Sequence, residues 1–172
     1  MSDSKHRWLS GPRINPGAIK KGMAVTELID GAFLAYNAGR LQSAARLLVE
    51  RILAPDCWVG LSLSGAMTPA GIGQSVLIPM IRAGFIDWLV STGANLYHDA
   101  HFGLGLALHR GASRIDDKAL FSDGVVRIYD ILFEYEVLLK TDSYLRKVMK
   151  APEFQRRMSS AELHYKLGRY LV

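Results

Sequence analysis

Cysteine is nearly absent. Cys57 is the one cysteine among 172 residues, which excludes an internal disulfide and a thiolate metal cluster built by a single chain. It stands beside Trp58 at the start of an apolar run, where it reads as a buried, inert thiol in a reducing compartment. Long apolar runs are also lacking: a membrane helix needs ~20 predominantly apolar residues, and the one uncharged stretch of that length, residues 57 to 81, is broken by glycine, proline, serine and threonine. The opening "MSDSKHRWLSGPRINPG" has no apolar centre of the kind a secretory signal carries. A cytoplasmic protein is the expectation. Neither the dinucleotide fingerprint G-x-G-x-x-G nor the Walker pattern with its lysine occurs. No Ser/His/Asp nucleophile arrangement can be argued, because nothing in the sequence places a base beside Ser64.

The formal charge of +5 raises the question of a nucleic-acid partner. The basic residues are scattered, however, from Arg7, Arg13, Lys20 and Lys21 to Arg146, Lys147, Arg156 and Arg169, with no aromatic-interleaved stripe. They read as solvated helix faces. At 49% hydrophobic and 22% charged residues, the composition is that of an ordinary globular protein with one core.

What is present is periodicity. Residues 1 to 22, broken by proline and glycine, read as a flexible arm, and residues 23 to 172 as a single domain. Val25 to Leu53 carries two helical stretches, with "NAGR" as a stop and restart. "CWVGLSLSG" reads as a strand buried on both faces. In "AMTPAGIGQSVLIPMIRAG", Thr68 can cap a helix, Gly84 can end it and Pro79 should kink it. "FIDWLVSTGA" is a second strand. Strand, loop, helix and strand in this order form the crossover unit of a parallel α/β sheet. Residues 103 to 124 read as a long irregular excursion, and "VVRIYDILF" as a third strand. From Glu134 onward the chain is helical, its last helix capped by Ser159 or Ser160. Asp116 and Asp117 read as a cap or loop solvation, and Asp87 as structural.

Two stretches carry chemistry. "LSLSGAMTPAG" runs from a strand through a Gly/Ser loop towards a helix, where free backbone N–H groups suit a phosphate, although a tight turn alone would look the same. "VSTGANLYHDAHFG" follows the second strand and gathers Asn95, His98, Asp99 and His101. Both loops lie at the carboxyl ends of parallel strands, where open α/β sheets bind ligands. Asn95, His98 and Asp99 would be polar groups at the ligand's edge. A metal at His98 and His101 is disfavoured, since Asp99 points elsewhere on a helix.

Together these loops, in "GLSLSGAMTPAGIGQSVLIPMIRAGFIDWLVSTGANLYHDAHFGLG", resemble the deoxyhypusine synthase family, especially its bacterial deoxyhypusine synthase-like members. "GAFLAYNAGRLQSAARLLVE" is similar to the family's amino-terminal helix. The resemblance implies a Rossmann-like NAD-binding fold, incomplete here, in a homotetramer with shared active sites. It implies an aminobutyl transferase that oxidises spermidine or putrescine with NAD and carries the aminobutyl group as an imine on a lysine before passing it to a protein lysine or an amine. By position, Gly65, Ala66, Met67, Thr68 and Pro69, with Thr92, Gly93 and Ala94, would contact NAD, and Tyr97, His98 and Asp99 the polyamine. The family's paired carboxylates are replaced by Tyr97 and His98, and a neutral imidazole does not supply a carboxylate's charge opposite a cation. No lysine here matches the imine-forming one, which lies in a carboxyl-terminal half absent from this sequence. The resemblance therefore implies either a complementing half or a non-catalytic subunit docked on a full-length paralogue.

Overall fold

A computed structural model describes residues 7 to 171. The chain divides after Val59 into two compact units, a boundary that falls inside the segment expected as one domain.

In the first unit, helices α1 (Val25–Ala32) and α2 (Tyr36–Leu47) are followed by a π-helical turn, Leu48–Ile52. The Ala24 N–H donates to Glu27 Oε2 at 2.9 Å, which closes the start of α1. The break between the helices lies at residues 33 to 35, not at "NAGR", which sits inside α2. Gly39 serves a close approach instead, since a Cβ there would stand 3.2 Å from the Leu34 carbonyl carbon. Gln42 Nε2 donates to the carbonyls of Ile29 and Asp30, both at 3.0 Å, and so ties α2 to the open end of α1. No described residue of this unit is buried. Cys57 is exposed, contrary to the expected buried thiol, because no neighbouring layer covers it.

The second unit opens with two parallel strands, β1 (Gly60–Leu63) and β2 (Trp88–Ser91), in register Gly60 to Trp88 through Leu63 to Ser91. This is the expected parallel pair. The Trp88 ring lies over Gly60, where an added Cβ would stand 2.1 Å from Cζ2, so only glycine admits the ring. The expectation of strands buried on both faces fails. Leu63 is buried, but Ser62, Trp88 and Val90 are exposed, since among the described residues this sheet has only the two strands and no layer covers their outer face.

The segment between them is not one kinked helix. It comprises a 3-10 turn (Thr68–Ala70), a π-helical turn (Gly73–Leu77) and α3 (Ile78–Arg82). Pro79 falls in the first turn of α3, where its missing N–H costs nothing, so the break precedes it. Gly84 ends the element with φ +74.

Helix α4 (Gly93–Gly103) follows β2. The expected irregular excursion then holds β3 (His109–Arg110) and α5 (Asp117–Ser122), the latter capped by Asp116, whose Oδ1 accepts from the Lys118 N–H at 2.9 Å. "VVRIYDILF" is not a third parallel strand. It is an antiparallel hairpin of β4 (Val125–Ile128) and β5 (Ile131–Glu134), reversed at Tyr129, whose φ of 56 lies in the left-handed region. With β3 it forms a separate sheet in the order β3-β5-β4. Helix α6 (Tyr135–Val148), the turn Pro152–Phe154 and α7 (Ser160–Gly168) complete the unit, and Ser159 Oγ accepts from the Glu162 N–H as the sequence indicated. The core gathers Leu63, Ala100, Phe133, Val137, Val148 and Phe154.

Candidate functional site at the carboxyl ends of the parallel strands

Because β1 and β2 run in parallel, their following loops emerge side by side. The Thr92 N–H donates to the Leu63 carbonyl at 3.0 Å, which prolongs the pairing to the loop entrance. Thr92 Oγ1 then donates to the Gly65 carbonyl across the two loops.

Asn95 is the clamp between them. Its Oδ1 accepts from the Met67 N–H at 2.7 Å, its Nδ2 donates to Thr92 Oγ1 at 3.2 Å, and its carbonyl accepts from Thr68 Oγ1 at 2.6 Å. Asn95 is 1% exposed, so this polar side chain is committed to the protein and does not edge a ligand as the sequence suggested. Thr68 is likewise no helix cap, since its hydroxyl serves Asn95 and both it and Pro69 are buried. Met67 is partly exposed.

Space and free donors remain around this clamp. A Cβ at Gly65 or at Gly93 would meet nothing within 4 Å, and Gly65 has φ +66. The N–H groups of Gly93 and Ala94 open the first turn of α4, where no intrahelical acceptor exists for them.

One turn further on, Tyr97, His98 and Asp99 point three ways. The Tyr97 hydroxyl donates to Asp142 Oδ1 at 2.8 Å and lies 3.2 Å from the Leu138 carbonyl. Burial, with the Asp142 hydrogen bond and charge, pushes the phenol up to about 12. Tyr97 is thus a neutral strut from α4 to α6.

Asp99 Oδ1 is buried and has no hydrogen-bond partner, and burial raises its carboxyl above the ordinary range. It is packed against Gly73, where a Cβ would stand 2.3 Å from that oxygen. Asp99, Tyr97, Leu96, Leu145, His164 and Leu167 are among the residues lining a mostly apolar cleft of about 480 Å³ between α4, α6 and α7.

His98 turns towards the hairpin, with Nδ1 3.0 Å from His101 Nε2. His101 and Thr141 are both fully buried, and His101 Nδ1 lies 2.8 Å from Thr141 Oγ1. Among the described residues no group of three or more His, Cys, Asp or Glu side chains is placed to hold a metal ion.

A family model for deoxyhypusine synthase matches residues 29–172. The chain belongs to the deoxyhypusine synthase family. It is 53% identical over 161 residues to a deoxyhypusine synthase-like protein of Nostoc sp., covering 94% of this chain and 42% of that relative. A deoxyhypusine synthase-like protein of Thermosynechococcus vestitus is 52% identical over 158 residues, covering 92% of this chain and 39% of its own length. The Archaeoglobus fulgidus protein named "Probable deoxyhypusine synthase 1" is 35% identical over 139 residues, covering 80% and 46% respectively. The chain therefore spans less than half the length of these relatives. Deoxyhypusine synthases are a transferase family, and the two clamped loops and α4 all lie within the matched segment.

The sequence missed Thr141 and Asp142, the α6 partners of His101 and Tyr97. They lie 40 and 45 residues away in the chain, and no spacing rule reaches so far. Only the burial expected on the inner face of α6 could have singled out Thr141.

Proposed function

We propose that this chain supplies the cofactor-binding part of a deoxyhypusine synthase-like, NAD-dependent aminobutyl transferase. The observation that carries this reading is the pair of loops at the ends of adjacent parallel strands, clamped by Asn95 yet open at Gly65 and Gly93. The residues fit a dinucleotide. Gly65 and Gly93 leave room for close approach, and the free N–H groups of Gly93 and Ala94 suit a pyrophosphate at the start of α4. Gly65 to Pro69 and Thr92 to Ala94 would bind it as a Rossmann-like first and second loop, with Thr68 and Thr92 holding loop shape through their hydroxyls. NAD, when bound, would accept a hydride from the carbon beside an amine.

Of the three residues expected on the polyamine, Tyr97 spends its hydroxyl on Asp142, which leaves Asp99 and His98 with unused acceptors. A carboxylate oxygen and an imidazole nitrogen suit the N–H donors of spermidine or putrescine. The lysine that forms the imine would come from a complementing carboxyl-terminal half or paralogue, with this chain held in a homo-oligomeric assembly in the cytoplasm. A non-catalytic subunit is the alternative that the following test separates.

Calorimetric titration of the purified chain with NAD should give saturable binding. Gly93→Val should weaken it at least about tenfold, or roughly 1.4 kcal/mol, while leaving the circular dichroism spectrum intact, because the added carbons enter open space. A folded protein that does not bind NAD would favour the docking subunit.

A further inference from the structure

Three short contacts form a chain that runs from α6 into α4, and their hydrogens can be assigned one after another. Thr141 Oγ1 lies 2.8 Å from the Val137 carbonyl oxygen. A carbonyl carries no hydrogen, so the threonine hydroxyl must supply it. Having given its one proton to Val137, Thr141 can only accept from His101 Nδ1, 2.8 Å away. His101 therefore carries its hydrogen on Nδ1. Burial, with the nearby His98 adding to it, pushes His101 down to about 4, so at neutral pH the ring has a single proton and its Nε2 is bare. The remaining contact, 3.0 Å between that Nε2 and His98 Nδ1, then needs a hydrogen from His98. Burial lowers His98 too, so this ring is neutral as well. Its proton is on Nδ1, and Nε2 is left with a lone pair.

The opposite assignment, with Thr141 donating to His101, would set two oxygens 2.8 Å apart with no hydrogen between them. The rings are also fixed in direction. His98 meets Tyr97 edge-on at 5.4 Å and Phe133 at 6.1 Å between centroids, and His101 meets Tyr97 at 5.2 Å. Among the described residues, His98 Nε2 has no hydrogen-bond partner, nor is it one of the buried atoms lacking one. It is therefore unpartnered and not sealed from solvent.

We infer that His101 is a positioning residue: backed by Thr141, it holds His98 in the tautomer whose Nε2 presents a lone pair to an N–H donor of an amine ligand. The amine in this inference rests on the function proposed above, whereas the tautomer rests on geometry alone. A tautomer-locked imidazole pair, with His101 buried and His98 half-buried, would replace the charge of a carboxylate with a directed, neutral acceptor. Such an acceptor distinguishes amine from alcohol poorly but fixes where the nitrogen sits.

The test is a long-range proton–nitrogen correlation spectrum of the full 172-residue chain, labelled with nitrogen-15 at histidine and recorded near neutral pH, with His98→Gln to assign the signals. His98 and His101 should each show a protonated Nδ1 and a bare Nε2. A protonated His98 Nε2 would overturn the inference without any variant being needed. Thr141→Val should release His101, so that His98 shows a mixture of tautomers, and Thr141→Ser should restore the single form. An unchanged His98 pattern in a folded Thr141→Val protein would remove the positioning role. Putrescine should shift the His98 Nε2 signal, with affinity about tenfold weaker in Thr141→Val. A bare Nε2 that ignores both putrescine and spermidine would refute the amine ligand while the tautomer lock stands, and the NAD titration decides the proposed function separately.

Discussion

Replacing Asn95 by alanine would remove in one step the acceptor for the Met67 N–H and the donor to Thr92 Oγ1. A buried donor left unmade costs about 1–3 kcal/mol, so Asn95→Ala should lower the unfolding free energy by roughly 2–3 kcal/mol. Urea titration should show an earlier midpoint with an unchanged slope. A loss below about 0.5 kcal/mol would mean that other contacts hold the loops. At this scale the sequence displayed a cluster of polar residues after a strand but not which way each one faces. Asn95 and Asp99 are four apart on one helix, yet the first is consumed by hydrogen bonds and the second has a bare oxygen. The difference comes from the 65 to 70 loop and Gly73, whose approach to α4 no local pattern encodes.

Helices α4 and α6 are joined by polar contacts, and their union should depend on pH. His101, pushed down to about 4, and His98, also lowered, bind fewer protons when folded than when unfolded. Their contribution is fully present above the unfolded value near 6.5 and is lost as pH falls towards 4. Asp99 acts with the opposite sign. Its raised carboxyl contributes below the unfolded value of 3.8 and loses that contribution as pH rises through the folded one. Urea unfolding between pH 7 and 4.5 should therefore show stability falling with acid, the His101 share being at most about 3 kcal/mol at 1.36 kcal/mol per pH unit. His101→Gln should flatten the curve, and an unaltered slope would show that the buried rings are not its source. Among the elements themselves, β1, β2, α6 and α7 were legible because apolar spacing and glycine punctuation agree there. The hairpin was not. A β-branched run with tyrosine at the reversal lacks the Asn-Gly or Asp-Gly signal that marks such turns, and Tyr129 adopts a positive φ that its residue type disfavours. The segment from Thr68 to Arg82 was misread for a related reason: periodicity does not distinguish α-helical from 3-10 or π-helical turns.

For the molecule as a whole, the parallel sheet is the telling element. Two strands alone, with Trp88, Leu89 and Val90 exposed on the second, leave pairing edges and apolar surface that folded proteins usually cover. The purified chain should sediment as a species heavier than one copy, and Trp88→Glu should shift it towards the monomer. A wild-type monomer at micromolar concentration would show that this surface tolerates water unaided. Family membership was readable from the two loops, whereas the division after Val59 was not, because the break at Ala54, Pro55 and Asp56 looks like an ordinary helix-to-strand turn. The Asn95 clamp has a further consequence, for engineering and for descent alike. Since Met67, Thr68 and Thr92 all bond to one asparagine, neither loop is a module that can be transplanted without the other. Substitutions in the two loops should be non-additive, and a relative that changes one will have had to change both.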